Sequence, residues 1–214
     1  MKYKNVLFDL DGTLTDPKLG ITNSIRYALA HFCIEEPDTS KLEAFIGPPL
    51  NHSFMQFYGF SEEEAWEAVD QYRVYFKKAG MYENTVYLGI SELLDLLNQQ
   101  DRCIYVATSK PRVFAEQIIA YFGLSSYFIK VYGSELDGTY TDKKELIAHL
   151  LTQEKLNSKD TVMIGDREYD VIGAKENGVD AIAVAYGYGV DQELQCARPT
   201  YIAQSVDDLT DLFV

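Results

Sequence analysis

Apolar positions along the chain keep two different rhythms, and the change between them divides it. Asn5-Val6-Leu7-Phe8 is a short apolar run that ends at Asp9 and Gly12. It reads as a buried parallel strand, although periodicity alone does not exclude a helix. From Ile21 to Phe32 the apolar spacing is helical. Asp38-Thr39-Ser40 offers N-caps for a short helix through Phe45, and Gly47-Pro48-Pro49 breaks the chain. Ser61 and Glu64 form a capping-box pair ahead of a helix that runs to about Ala79, with Gly80 as its stop.

After about residue 90 strands and helices alternate. Ile90–Asn98 reads as a helix, Cys103–Ala107 as a strand and Pro111–Phe122 as a helix with proline in its first turn, ended by Gly123. Phe128–Tyr132, Thr161–Ile164 and Ala181–Ala185 read as further strands. Helices are expected from Lys143 to Leu151, after Asp166 up to Gly178, and from Val206 to Leu212. Alternation of this kind implies an α/β fold, a doubly wound, Rossmann-like parallel sheet with helices on both faces. The catalytic core is expected to comprise residues 1–16 and 83–214, with residues 17–82 as a small all-helical subdomain inserted after the first strand.

Charge narrows the picture. With 19 basic against 33 acidic residues the net charge is −14, and the only basic doublets are Lys77-Lys78 and Lys143-Lys144. A nucleic-acid polymer or an anionic membrane surface needs a basic stripe that this chain does not carry. The three cysteines are far apart and odd in number, which fits reduced thiols better than a disulfide framework. The N-terminus reaches an acidic motif within nine residues without a signal-peptide pattern, so a cytoplasmic protein is expected.

In a doubly wound sheet ligands bind beyond the carboxyl ends of the strands. Three of the expected strands run into reactive side chains there: Asp9-Leu-Asp11-Gly12-Thr13, Thr108-Ser109-Lys110, and Gly165-Asp166 with Asp170 four residues on. Asp9 and Asp11, two apart in extended chain, would point the same way, and two such carboxylates repel unless a cation or proton intervenes. Gly12 allows the backbone to turn and approach a ligand. An EF-hand is excluded, because counting from Asp9 its obligatory glycine and glutamate positions hold Leu14 and Gly20. An oxygen-rich pocket of this kind suits Mg2+. Taken singly, each feature also has a plain structural reading: Asp170 as a first-turn acid, Lys143 as a surface lysine, Thr108 as a helix cap.

Together these residues resemble the haloacid dehalogenase superfamily. Asp9-Leu-Asp-Gly-Thr13 is similar to its first motif, Thr108 to its second, Lys143 to its third and Gly165-Asp166-x-x-x-Asp170 to its fourth. The helical insertion resembles the family's cap, and the chain is most similar to the phosphoglycolate phosphatase and nucleotidase-like branch. The resemblance implies that Asp9 attacks phosphorus to form an aspartyl-phosphate and that Asp11 protonates the leaving oxygen and then activates water. It implies that Thr108 and Lys143 hold the phosphoryl oxygens. Mg2+ would sit on Asp9, the backbone carbonyl of Asp11 and Asp166, with Asp170 acting through water or behind the ligands. Lys143 is preferred to its neighbour Lys144 because it follows the Asp137-Gly-x-x-x-x-Lys pattern. Ser109 stands where relatives often carry asparagine.

The expected activity is hydrolysis of a small phosphorylated metabolite: phosphoglycolate, a nucleoside monophosphate or a sugar phosphate. A phosphomutase would share all four motifs. A phosphoryl-accepting receiver module would share the aspartate, Thr and Lys but has no use for the helical insertion. Gly12, Ser109 and, within the tyrosine-rich helix, Arg73 are candidate substrate contacts, with a salt bridge to a neighbouring acid as the plain alternative for Arg73. A monomer or small homo-oligomer is expected.

Overall fold

The computed structural model describes residues 2–214. They form two compact units, one comprising residues up to Asp16 with Val86–Val214, the other Pro17–Thr85.

The larger unit is built on β1 (Asn5–Phe8), which the chain leaves through β2 (Thr15–Asp16). The smaller unit holds α1 (Lys18–His31), α2 (Thr39–Glu43), α3 (Leu50–Tyr58) and α4 (Glu62–Tyr75). After β3 (Thr85–Val86), which pairs with β2, come α5 (Ile90–Gln99), β4 (Cys103–Pro111), α6 (Arg112–Tyr121), β5 (Lys130–Ser134) and α7 (Lys143–Glu154). The chain closes with β6 (Thr161–Gly165), α8 (Glu168–Glu176), β7 (Asp180–Val184), α9 (Asp191–Ala197), β8 (Tyr201–Ala203) and α10 (Val206–Asp211).

Six of these strands make one parallel sheet in the order β5-β4-β1-β6-β7-β8. The first strand of the sequence is therefore central, as a continuous apolar run buried on both faces requires. Alternation sends Leu7 into a cluster with Tyr105, Met163, Leu146, Leu150 and Val171, and turns Val6 and Phe8 to the opposite face. Register then does the positioning. Phe8 lies beside Val106 of β4 and Ile164 of β6, so the residues that follow all three strands emerge at one edge.

In the smaller unit the expected capping box is formed: the Glu64 N–H donates to Ser61 Oγ (3.3 Å) and the Ser61 N–H to Glu64 Oε2 (2.8 Å). Several tyrosines pack or hydrogen-bond inside the fold; Tyr72 is buried, and the hydroxyls of Tyr58 and Tyr75 donate to Glu36 and Glu83. Three local expectations need correction. Gly47-Pro48-Pro49 does not simply break the chain; Pro49 stands at the N-cap of α3, where the lost N–H costs nothing. Pro111 ends β4 rather than opening α6. Gly80 closes a single π-helical turn (Phe76–Gly80), and its deeper role is contact: a Cβ there would meet Ser24 Oγ at 2.5 Å and the Gly20 carbonyl at 2.9 Å. No helix among the described residues is long and apolar enough to cross a membrane.

Gly20 is the tighter partner in that contact, because a Cβ would lie 1.8 Å from the Gly80 carbonyl oxygen. Backbone oxygen cannot swing aside as a side chain can. Gly20→Ala is expected to cost about 3 kcal/mol of stability, read as a lower urea midpoint with an unchanged slope.

Candidate active site

Asp9 leaves β1 with its N–H donated to the Ile164 carbonyl of β6 (2.8 Å). The chain then winds around the Leu10 carbonyl, which accepts the N–H groups of Leu14 and Thr15 at 2.9 and 3.0 Å. Asp9 and Asp11 are thus not consecutive positions on one face of a strand, and they take different partners. Asp9 Oδ1 accepts from Lys143 Nζ at 2.9 Å. Asp11 Oδ2 forms a 2.5 Å ion pair with Lys110.

Lys143 sits in the first turn of α7, where Asp142 accepts the N–H groups of Lys144 and Glu145 as N-cap. Its buried ammonium donates to Asp9 and to the Ala107 carbonyl (2.9 Å) and makes a 2.7 Å ion pair with Asp170 that lies off hydrogen-bond geometry. Burial works against this charge, but the carboxylates of Asp170 and Asp9 outweigh it and raise its pKa above the ordinary lysine range. Lys144 points elsewhere, to Glu176 at 3.0 Å, with more than half of its side chain in solvent. The choice between the two lysines, undecided in the sequence, is made by the helix face.

One oxygen from each of Asp9, Asp166 and Asp170 lies within 4.8 Å of the others, and all three residues are buried. Glycines make this crowding sterically feasible. A Cβ at Gly12, whose φ is +81°, would lie 2.2 Å from Asp166 Oδ2, and one at Gly165 would lie 2.1 Å from Asp170 Cγ. The sequence located Asp9 and Asp166 in this cluster and left Asp170 behind it; its carboxylate is a full member. Burial, then Asp9 and Asp170, push the Asp166 carboxyl well above the usual carboxylate range. Burial also raises Asp11, partly offset by Lys110.

A loop absent from the sequence-based reading completes the floor. After β7, the Tyr188 N–H donates to Asp166 Oδ2 at 2.7 Å, and Tyr186 Oη donates to the Thr13 carbonyl at 3.0 Å. Gly187 approaches so closely that a Cβ would lie 2.4 Å from the Gly12 carbonyl oxygen. The alternation Tyr186-Gly-Tyr-Gly189 at a fourth strand end was the available signal. Thr108 is buried beside the cluster strands, its Oγ1 accepting from the Lys110 N–H. Ser109 does not offer its hydroxyl as a donor to a substrate, because that hydroxyl donates to the Thr141 carbonyl at 3.0 Å. Arg73 lies on α4 of the other unit and forms a 3.5 Å ion pair with Asp70.

The buried donor set is oxygen only, and Asp166 Oδ1 has no hydrogen-bond partner. Three carboxylates against one ammonium leave two formal negative charges. A hard divalent cation fits both facts.

A doubly wound sheet that delivers aspartates from two strand ends and a lysine from a following helix to one buried point defines a class of hydrolases with a carboxylate at its chemical centre. The chain belongs to the haloacid dehalogenase-like hydrolases, whose family profile matches residues 6–184. It is 54% identical over 201 residues to a 5'-nucleotidase of Pseudomonas aeruginosa, covering 94% of this chain and 91% of that protein. It is 35% identical over 208 residues to a tyrosine-protein kinase of Mycobacterium tuberculosis, covering 96% of this chain and 71% of that one. A crystal structure described as a predicted phosphatase from Clostridium acetobutylicum superimposes with a TM-score of 0.95 at 49% identity, covering 99% and 98% of the two chains.

The repulsion within the cluster is measurable. Asp166→Asn removes one buried negative charge and is expected to stabilise the metal-free protein at neutral pH by about 1–3 kcal/mol. Because the folded-state pKa of Asp166 is raised, the wild type is penalised above that pKa and relieved as protonation proceeds. The gap between variant and wild type therefore closes as pH falls toward 4. Magnesium should raise the melting temperature of the wild type and not that of Asp166→Asn, in thermal melts run with and without the ion.

Proposed function

We propose that this phosphatase is magnesium-dependent and hydrolyses nucleoside 5'-monophosphates through an aspartyl-phosphate. The observation that carries the chemistry is Lys143, buried and held between Asp9 and Asp170 at the carboxyl edge of the sheet. An ammonium so placed offsets the charge of a phosphoryl group while leaving an aspartate oxygen to attack it. The nucleotide preference is supported by the 54% identity to the Pseudomonas aeruginosa 5'-nucleotidase.

In this reading Asp9 attacks phosphorus as the ester P–O bond breaks, and Asp11 gives its proton to the departing oxygen. Water then attacks the aspartyl-phosphate, with Asp11 receiving its proton, and Asp9 is released. The pKa of Asp11, raised by burial, supports a group that carries a proton near neutrality. Thr108 and Lys143 hold the phosphoryl oxygens, and the backbone at Gly12 lies against Asp166 closely enough to present its amide to the same group. Asp9 and Asp166 would hold Mg2+, with the Asp11 carbonyl expected alongside and Asp170 close enough to join them. When bound, the ion supplies charge neutralisation to the transferring phosphoryl group. Ser109 and Arg73 take no part, since each is engaged with Thr141 or Asp70.

The test is a phosphate-release panel over nucleoside monophosphates, phosphoglycolate and sugar phosphates, with and without magnesium. Nucleoside 5'-monophosphates should give the highest kcat/KM, activity should require the ion, and Asp9→Asn should lose at least about 1,000-fold in kcat. Isomerisation of a sugar phosphate without phosphate release would instead identify a mutase. Because one relative is named a tyrosine-protein kinase, an ATP arm followed by phosphotyrosine detection belongs in the panel.

A further inference from the structure

β4 does not end where its apolar run ends. It continues to Pro111, and its pairing with β5 shifts register between Thr108 and Pro111. Such a bulge re-aims side chains near a strand end. This one is braced on several sides. Ser134 Oγ donates to the Ser109 carbonyl at 2.8 Å, Ser109 Oγ donates to the Thr141 carbonyl at 3.0 Å, and the Lys110 N–H donates to Thr108 Oγ1 at 3.2 Å. On β5, Gly133 makes room, since a Cβ there would lie 2.6 Å from the Lys110 carbonyl oxygen and 2.8 Å from the Arg112 nitrogen.

The consequence is an ammonium brought under cover. The Lys110 side chain is 7% exposed, its Nζ is 2.5 Å from Asp11 Oδ2, and the Asp11 side chain is 13% exposed. Asp11 Oδ1, the other oxygen of that carboxyl, is buried without a hydrogen-bond partner. Ordering a lysine side chain is costly in entropy, and a covered ion pair is worth keeping only where its geometry is fixed. Here the geometry distinguishes the two oxygens of one carboxyl.

We propose that Lys110 is a positioning residue, which holds Asp11 by Oδ2 so that Oδ1 is the oxygen that handles the proton. The inference rests on the acid–base role given to Asp11 above. In the first step the proton on Oδ1 passes to the ester's leaving oxygen while its P–O bond breaks and the Asp9–phosphorus bond forms. In the second step water's oxygen bonds to phosphorus, the Asp9–phosphorus bond breaks, and the water proton returns to Oδ1. Lys110 keeps its own proton throughout, because a carboxyl protonated on Oδ1 still accepts at Oδ2.

Leaving-group dependence separates this from a structural role. An aryl leaving group departs without a proton, whereas a nucleoside hydroxyl needs one. In Lys110→Met, the pre-steady-state burst from p-nitrophenyl phosphate is expected to survive, and steady-state turnover, which needs water activated, to fall about 100-fold. With a nucleoside 5'-monophosphate the burst itself should be lost, with KM little changed. Lys110→Arg, which retains the charge, should recover turnover to within about 10-fold of wild type. Equal losses of burst on both esters, or Lys110→Met turnover within about threefold of wild type, overturns the proposal. Asp11→Asn is measured in parallel: if it keeps wild-type burst and turnover on both esters, the acid–base reading of Asp11 has failed. If it loses them while Lys110→Met does not, only the part given to Lys110 has.

Discussion

Like charge confined in a small buried volume is the constraint around which the rest of this molecule is arranged. Asp9, Asp166 and Asp170 bring carboxylate oxygens within 4.8 Å of one another, out of reach of bulk water. Carboxylates so close and so desolvated interact far more strongly than they would on a surface. One ammonium, that of Lys143, is shared between Asp9 and Asp170 and does not balance the set. The fold must hold the cluster together against its own repulsion, and the chemistry follows from what relieves that repulsion: a cation, a proton, or a phosphoryl group arriving with its counterion.

The holding is done by the sheet. β1 is central, with both neighbours parallel and both faces buried, so the strand ends that carry Asp9, Thr108 and Asp166 cannot separate without breaking the apolar core. Glycines allow the crowding. At Gly12, Gly165 and Gly187 an added Cβ would overlap a carboxylate or its backbone at 2.2, 2.1 and 2.4 Å respectively. The backbone itself thereby becomes part of the wall, and the Tyr188 amide is aimed at Asp166 as a result. Site and core are in this sense one structure: the hydrophobic packing of Leu7, Met163 and Val171 supplies the rigidity that the polar cluster consumes.

What was legible in the sequence was whatever depends on near neighbours. The run Asn5–Phe8, the Ser61/Glu64 cap and the alternation after residue 90 are local signals, and the structure forms each of them. Convergence of Asp9, Thr108 and Asp166 was also legible, because parallel strands must present the same end. The misses depend on contacts distant in sequence. Pro49 was taken for a break because proline interrupts helices; that it can stand at the start of one is decided by what packs on Leu50–Tyr58. The bulge that turns Lys110 inward depends on Gly133 in the next strand. Asp170 looked like a first-turn acid, which it also is: its Oδ2 accepts the Arg167 N–H at 3.1 Å while the same carboxyl faces Lys143.

Two aspartates separated by one residue end up with two lysines drawn from different parts of the chain. Asp9 takes Lys143 from the start of a helix, and Asp11 takes Lys110 from a bulge in a strand. A single lysine between them would have tied their protonation together and given both the same character. Separate partners allow separate tasks. Lys143 is spread over two carboxylates and lies in line with the buried negative cluster, so its charge serves the region where phosphate charge accumulates. Lys110 meets one oxygen of one carboxyl and leaves the other oxygen unpartnered, so it orients more than it neutralises. An attacking carboxylate and a proton-carrying carboxyl can then stand two residues apart on one loop, which is why the turn around the Leu10 carbonyl, rather than a straight strand, follows β1.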